Sequence, residues 1–358
     1  MLKLCVMSKK TDFDKKNNMG CPFPIDLVYL WVDGSDKSWV TEKNKWFEIV
    51  NGQKSVYAGS SEEERFRDNG ELLYSLRSVE ECAPWVNHIY IITGFGQVPS
   101  WLNTNHPKIT IVPHEQIFPS GALPTFNATA IEMCIPNIPN LAEHFLLMND
   151  DVFFNKKLSP SFFYDGRGRA RVHYSKNKYD ETVPFEKWKM TLDGYTQTLA
   201  LSAEYIDEIF GIKMYHIRPS HGIDPYLKSS WIECRNHPKL KDQVDKQSYN
   251  KFRTNDEIQR WTMNMYDYAK GRAVFWHARA AKYGRHKILN FIYNIIHFFG
   301  IRMSNIVCTD VAPVKSVIKY APTFCINDAN KNNIDILNRN MEFLKKRYPN
   351  KSEFEKSI

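Results

Sequence analysis

Four short apolar runs alternating with helical patterns constrain this chain more than any other feature. Ile25-Asp-Leu-Val-Tyr-Leu-Trp-Val32 runs into Asp33-Gly34, and His144-Phe-Leu-Leu-Met148 runs into Asn149-Asp150-Asp151. His88–Thr93 and Ile109–Val112 are the other two. Such β-branched and aromatic runs, bounded by Asp, Asn and Gly, read as buried strands. Leu72, Leu76, Val79 and Ala83 recur at helical spacing, with Asp68 or Asn69 placed to cap that helix. A short helix is expected between Thr125 and Cys134. The alternation predicts an α/β, Rossmann-like, mostly parallel sheet flanked by helices. Ligands collect at the carboxyl ends of such strands. Asp33 and Asp150-Asp151 stand at two of those ends.

Past residue 165 the pattern turns mainly helical. A helix is expected over Thr196–Phe210, followed by a histidine-rich turn, His216-Ile-Arg-Pro-Ser-His221. Thr254-Asn-Asp-Glu257 fits a capping box ahead of Ile258, Trp261, Met265 and Tyr268. Ile334, Leu337, Met341, Leu344 and Tyr348 form one face of a final amphipathic helix. The organisation read from this is a polar tail over 1–24 and a single domain over 25–358. That domain divides into an α/β sheet half (25–165), a mainly helical region (166–320) and a closing segment with its helix (321–358).

Composition limits the function class. Charged residues are 25% of the chain and hydrophobic residues 43%, which excludes a disordered chain, a collagen-like fibre and a coiled coil. The net charge of +8, with 14% aromatic residues, suggests an anionic partner, either a polyanion or a membrane surface. The seven cysteines are scattered without a CxxC pair, which argues against a disulfide framework or a zinc ribbon and suits reduced thiols in the cytoplasm. No uncharged apolar stretch reaches the length of a membrane-spanning helix. Residues 272–299 combine Arg272, Arg279, Lys282, Arg285 and Lys287 with the apolar, aromatic run Ile288–Phe299. That composition suits an interfacial membrane anchor and equally an ordinary core helix.

Several segments could carry chemistry. Asp150-Asp151 after an apolar strand suits a hard cation such as Mg²⁺, which takes carboxylates plus substrate phosphates; the same residues also favour turns. Asp33 can accept from a ribose or base, and Gly34 allows close backbone approach, as a plain turn would too. Arg65-Phe-Arg67-Asp68-Asn69, ahead of a helix bearing Arg77, suits phosphate or a surface ion-pair cluster. His221 is a candidate general base or acid, and Arg253 a candidate phosphate ligand. The sequence contains no G-x-x-x-x-G-K-[ST], G-x-S-x-G, H-E-x-x-H or G-x-G-x-x-G, so P-loop, hydrolase-elbow, zincin and dinucleotide readings have no motif behind them. No RNP, zinc-finger or helix-turn-helix signature supports a nucleic-acid partner.

Taken in order, four blocks resemble the Stealth family of sugar-1-phosphate transferases. They are Ile25–Asp36; Arg67–Ser78 through Ala83–Val86, Pro99–Leu102 and Leu123–Phe126 to Leu147–Phe153; His216–Asp224 with Arg253–Glu257; and Phe324-Cys-Ile-Asn-Asp328 with its helix. The resemblance implies transfer of a hexose 1-phosphate from a UDP-sugar to a hydroxyl of a growing surface polysaccharide. UMP is released, and Mg²⁺ or Mn²⁺ is required. By position it implies a metal site of Asp150, Asp151, Asn327 and Asp328. The donor-binding set is Asp33, Gly34, Arg67, Asp68, Asn69 and Arg77. The catalytic group is His221 and Arg253, with Asp151. On this resemblance 166–320 is the acceptor and membrane side. The expected partners are a UDP-sugar, a lipid-linked glycan acceptor and an anionic membrane surface met by 272–299. The expected location is the cytoplasm, peripheral on the inner face of the cell membrane. The competing expectation is a conventional metal-dependent glycosyltransferase that releases UDP.

Overall fold

The computed structural model describes residues 21–50, 60–176, 182–277, 281–283, 306–308, 321–326 and 334–357. Its central sheet joins β1 (Ile25–Leu30), β2 (Ile89–Thr93), β3 (Ile109–Pro113), β4 (His144–Asn149) and β8 (Asp224–Leu227) in the order β3-β2-β1-β4-β8. The first four strands run parallel, and β8 runs antiparallel to β4. The chain therefore winds outward from β1 to β3 and then crosses back to the other side of β1. The carboxyl ends of β1 and β4 flank the resulting switch point, where a crevice opens in such sheets.

β1 is apolar on both faces because a central parallel strand is covered on both. Leu27, Val28 and Tyr29 are fully buried. Asp26 lies buried in the same strand, where it accepts from Asn87 Nδ2 and from the Ala142 amide, each at 2.7 Å. Those bonds offset the desolvation of its carboxylate.

Two smaller sheets complete the strands. β5 (Val152–Phe154) pairs antiparallel with β12 (Thr323–Ile326), and β12 continues to β11 (Ile306–Cys308) and β10 (Ala281–Tyr283). The third sheet has the order β7-β6-β9, built from β6 (Ala170–Lys176), β7 (Ile217–Pro219) and β9 (Ala273–His277).

The helices that shape the crevice are α1 (Lys37–Val50), α2 (Glu71–Cys82), α3 (Ala128–Cys134), α4 (Gly194–Phe210) and α5 (Trp261–Ala269), while α6 (Ile334–Arg347) packs against α2 away from the cavity lining. Leu72, Leu76 and Val79 bury one face of α2, as their spacing predicts. Its cap differs from expectation. Gly70 holds the N-cap at a φ of 91°, a left-handed conformation that glycine adopts without strain. Asp68 Oδ1 accepts from the Gly70 amide at 2.8 Å, and Asn69 donates to Glu71 instead. α3 is capped by Asn127, whose Oδ1 accepts from the Thr129 amide at 3.0 Å. α4 is capped by Asp193 and ends at Gly211 with φ 69°.

The capping box expected at Thr254-Glu257 does not form. α5 starts later, at Trp261, and Glu257 turns inward. Its Oε1 accepts from Asn127 Nδ2 at 2.6 Å and Asn250 Nδ2 at 2.8 Å. Two side-chain amide donors hold the Glu257 carboxylate inside the fold, where leaving it unpaired would be costly.

One hydrophobic cluster runs from β1 through the central sheet to α4, α5 and Phe354. A second joins Tyr74 of α2, Phe153, Phe324, Leu344 of α6 and Tyr348 just after it. A third joins Trp39 of α1 with Phe126 and Phe252, and Phe66 packs on it. The Phe126–Phe252 rings stack at 5.3 Å, and Trp39 meets Phe126 edge-on at 5.5 Å. Such pairs add about 0.5–1.5 kcal/mol each beyond their buried area.

Among the described residues, no helix is long and apolar enough to cross a membrane. The run Ile288–Phe299 lies outside the described residues. Of the basic residues expected beside it, Arg272 is engaged within the fold, ion-paired with Glu233 at 2.6 Å.

Candidate active site

A cavity of 560 Å³ occupies the crevice at the switch point. Its floor is the residues after β1, Trp31 and Val32, together with Asn149 at the end of β4 and Asp150-Asp151 in the turn after it. Arg65, Phe66 and Arg67 form one side, backed by Trp39 and Phe126. His221, Asp224, Arg253 and Arg260 form the other, beside Tyr195 and Leu199 of α4.

Burial of the floor acts on its acids. Burial, then the neighbouring Asp151, Glu71 and Asp68, pushes the Asp150 carboxyl well above the usual carboxylate range. Burial also raises Asp151, though His221 and a hydrogen bond from Cys325 oppose it. Glu71 is pushed up to about 7 by burial, against hydrogen bonds from Asn69. The crowding of acids creates a local demand for positive charge.

The opposite wall is an ion cluster. Arg260 donates to Glu132 Oε1 at 2.7 Å and to Asn149 Oδ1 at 3.3 Å, and its Nη2 lies 3.3 Å from Asp224 Oδ2. Burial disfavours the guanidinium charge, but Glu132 and Asp224 outweigh it and hold Arg260 firmly protonated. Asp224 is raised to about 6 by burial, partly countered by Arg260. Arg260 thus links α3, the end of β4 and the start of β8, the strand that follows His221.

Asp151, His221 and Cys325 bring one ligand atom each to within 4.8 Å of one another. Cys325 Sγ donates to Asp151 Oδ2 at 3.2 Å. Asp151 Oδ1 is buried with no hydrogen-bond partner. An orphaned carboxylate oxygen beside a second carboxylate and an imidazole fits a divalent cation.

The expected site residues divide by position. Arg67, Asn69, Asp150, Asp151, His221 and Arg253 share the cavity lining. Asp33, Gly34 and Asp68 stand next to it and are turned to backbone work. Asp33 Oδ1 accepts from the Ser35 amide at 2.9 Å and the Ser35 hydroxyl at 2.6 Å. Gly34 is approached by the chain itself rather than by an open cleft, because a Cβ there would come 2.2 Å from the Phe66 carbonyl oxygen. Arg77 is a correction. It forms a two-pronged ion pair with Glu355 at 2.8 Å and donates to the Tyr348 carbonyl at 2.9 Å, facing the closing segment instead of the cavity. Asn327 and Asp328 lie outside the described residues.

Sequence reasoning passed over Cys325, Glu71, Glu132 and Arg260. Cys325 lies within Phe324–Asp328, but a lone cysteine with no CxxC partner carries no ligand spacing to announce it. Glu132 and Arg260 carry no local pattern that announces their pairing.

Known proteins similar to this chain agree on one family. Residues 23–46 match Stealth protein CR1, conserved region 1, and residues 65–172 match Stealth protein CR2, conserved region 2. The capsular polysaccharide phosphotransferase WcwK of Streptococcus pneumoniae is 31% identical over 93% of this chain and 99% of its own length. The chain belongs to the Stealth family. A capsular polysaccharide phosphotransferase of Haemophilus influenzae is 29% identical over 94% of this chain and 87% of that one. An exopolysaccharide phosphotransferase of Streptomyces coelicolor is 40% identical, but the match spans 45% of this chain and 27% of that relative. The two matched Stealth regions hold β1 to β5 with the acidic turn; His221, Arg253, Arg260 and Cys325 lie beyond them.

Proposed function

We propose that this Stealth chain is a polysaccharide phosphotransferase that moves a hexose 1-phosphate from a UDP-sugar to a hydroxyl of a surface glycan, releasing UMP. The observation that carries the reading is one cavity at the switch point in which an acidic turn, a histidine and arginines meet. The names of the relatives support the reaction class.

The acceptor oxygen attacks the β-phosphorus of the donor, the phosphodiester bond forms, and the bond to UMP breaks. His221 takes the hydroxyl proton. Arg67 and Arg253 stabilise charge on the phosphate oxygens. Asp150 and Asp151 would hold a divalent cation, Mg²⁺ or Mn²⁺, which would supply charge neutralisation for the diphosphate. Asn327 and Asp328 follow the cavity residue Ile326 in sequence and are proposed to complete that holding group. Asp33, Asp68 and Asn69 shape the donor end through the turns they brace. A lipid-linked acceptor at the inner membrane surface, met by 272–299, would account for the basic charge there.

The test is incubation with a panel of UDP-sugars and glycan acceptor, with products read by ³¹P NMR. A phosphodiester and UMP are expected. UDP with a glycosidic product would overturn the reading in favour of a glycosyltransferase. His221→Ala should lower turnover by about 10²–10⁴-fold, the usual worth of a proton-transfer group.

A further inference from the structure

The group of Asp151, His221 and Cys325 has a chemistry of its own. Its members come from the turn after β4, the loop before β8, and β12. Strand pairing fixes Cys325 there: it lies opposite Val152, the neighbour of Asp151, and the Ile326 amide donates to the Asp151 carbonyl at 2.9 Å. Cys325 Sγ engages Asp151 Oδ2 at 3.2 Å, and the buried Oδ1 has no partner. A carboxylate, an imidazole and a thiol are the donors of borderline-soft cations. Zinc takes them at about 2.0–2.3 Å, so ligands sharing one ion lie roughly 3–4 Å apart. That spacing is compatible with three atoms all within 4.8 Å of one another. Magnesium, by contrast, wants oxygen and keeps its waters.

We infer that Asp151, His221 and Cys325 form a binding site for a thiophilic divalent cation of the zinc type, entered from the cavity side that Asp151 and His221 line. As the metal–sulfur bond forms, the Cys325 thiol gives its proton to solvent. An ion bound there occupies the imidazole and the carboxylate needed for transfer, so it inhibits. That consequence rests on the phosphotransferase reading; the binding itself does not.

The experiment uses the full chain with no donor or acceptor, so its result stands apart from turnover. Zn²⁺ is titrated by calorimetry in two buffers of different ionisation enthalpy, and Co²⁺ serves as the spectroscopic probe. The expected result is Zn²⁺ binding with proton release and a near-ultraviolet thiolate-to-cobalt band. Cys325→Ser should abolish the band and weaken Zn²⁺ at least about 10-fold, while Cys21→Ser changes neither. Co²⁺ binding without a thiolate band, or Zn²⁺ binding by Cys325→Ser as tight as wild type, overturns the site. Should Cys325→Ser not fold, His221→Gln is read in the same way, and a cobalt spectrum identical to wild type overturns it equally.

Discussion

Arg260 and Glu132, 128 positions apart in sequence, meet at 2.7 Å in the wall of the cavity. The same guanidinium reaches Asp224, so one cation balances two buried carboxylates. Arg260→Met leaves both unpaired and should cost about 3–5 kcal/mol of stability. Arg260→Lys keeps the charge but loses the planar fork, and should fall between. Urea denaturation reads both; a loss under about 1 kcal/mol for Arg260→Met would show that the carboxylates are already relieved by protonation or solvent.

The closing segment is tied back by Arg77 and Glu355, whose side chains are mostly shielded from solvent. Arg77→Ala and Glu355→Ala should each cost about 2 kcal/mol. The double variant should cost little more than either, with a coupling energy of about 1–2 kcal/mol. Simple additivity in the double-mutant cycle would mean that the two side chains act separately.

Gly34 has no room for a side chain, since an added Cβ would lie 2.2 Å from the Phe66 oxygen. Gly34→Ala should push away the loop carrying Arg65 and Arg67, costing about 1–3 kcal/mol by overpacking. Donor KM should rise, and hydrogen exchange should quicken over residues 62–68. An unchanged KM would detach that loop from donor binding.

Asp267 sets a pH dependence away from the cavity. Burial pushes its carboxyl up to about 8, against the pull of Arg272, from an ordinary value of 3.8. Its folded pKa is thus raised, so its contribution is fully present below the unfolded value and is lost as pH rises toward about 8. Asp267→Asn stays neutral throughout. The stability of Asp267→Asn relative to wild type should therefore climb from pH 4 to pH 8, as followed by denaturation at each pH. A flat difference over that window would mean that the folded carboxyl ionises normally.

The sheet was legible because apolar runs and turns are local signals. Ile25–Val32 and His144–Met148 announce buried strands, and the acids after them stand where the crevice opens. Ion pairing was not legible in the same way. Arg77 sat in a phosphate-like sequence, yet Glu355, far along the chain, claims it. Thr254 and Glu257 fit a capping box, yet Asn127 and Asn250 draw the glutamate inward. Cys325 became a partner of Asp151 through the register of β12 on β5, which no spacing in the sequence encodes. Local periodicity reports which face is buried; it does not report who meets across the core.

The pairing of β5 with β12 also sets a timetable. Asp150 and Asp151 are made early in synthesis, but Cys325 and the strand that seats it emerge near the end of the described chain. Contacts between such distant stretches close late in folding, because the intervening loop must be ordered first. A nascent or truncated chain lacking 321–357 would carry the acidic turn without its neighbours, leaving β5 with an open edge where β12 should lie. Assembly of the cavity around Asp151 is thereby linked to the synthesis of β12, more than 150 positions further along the chain.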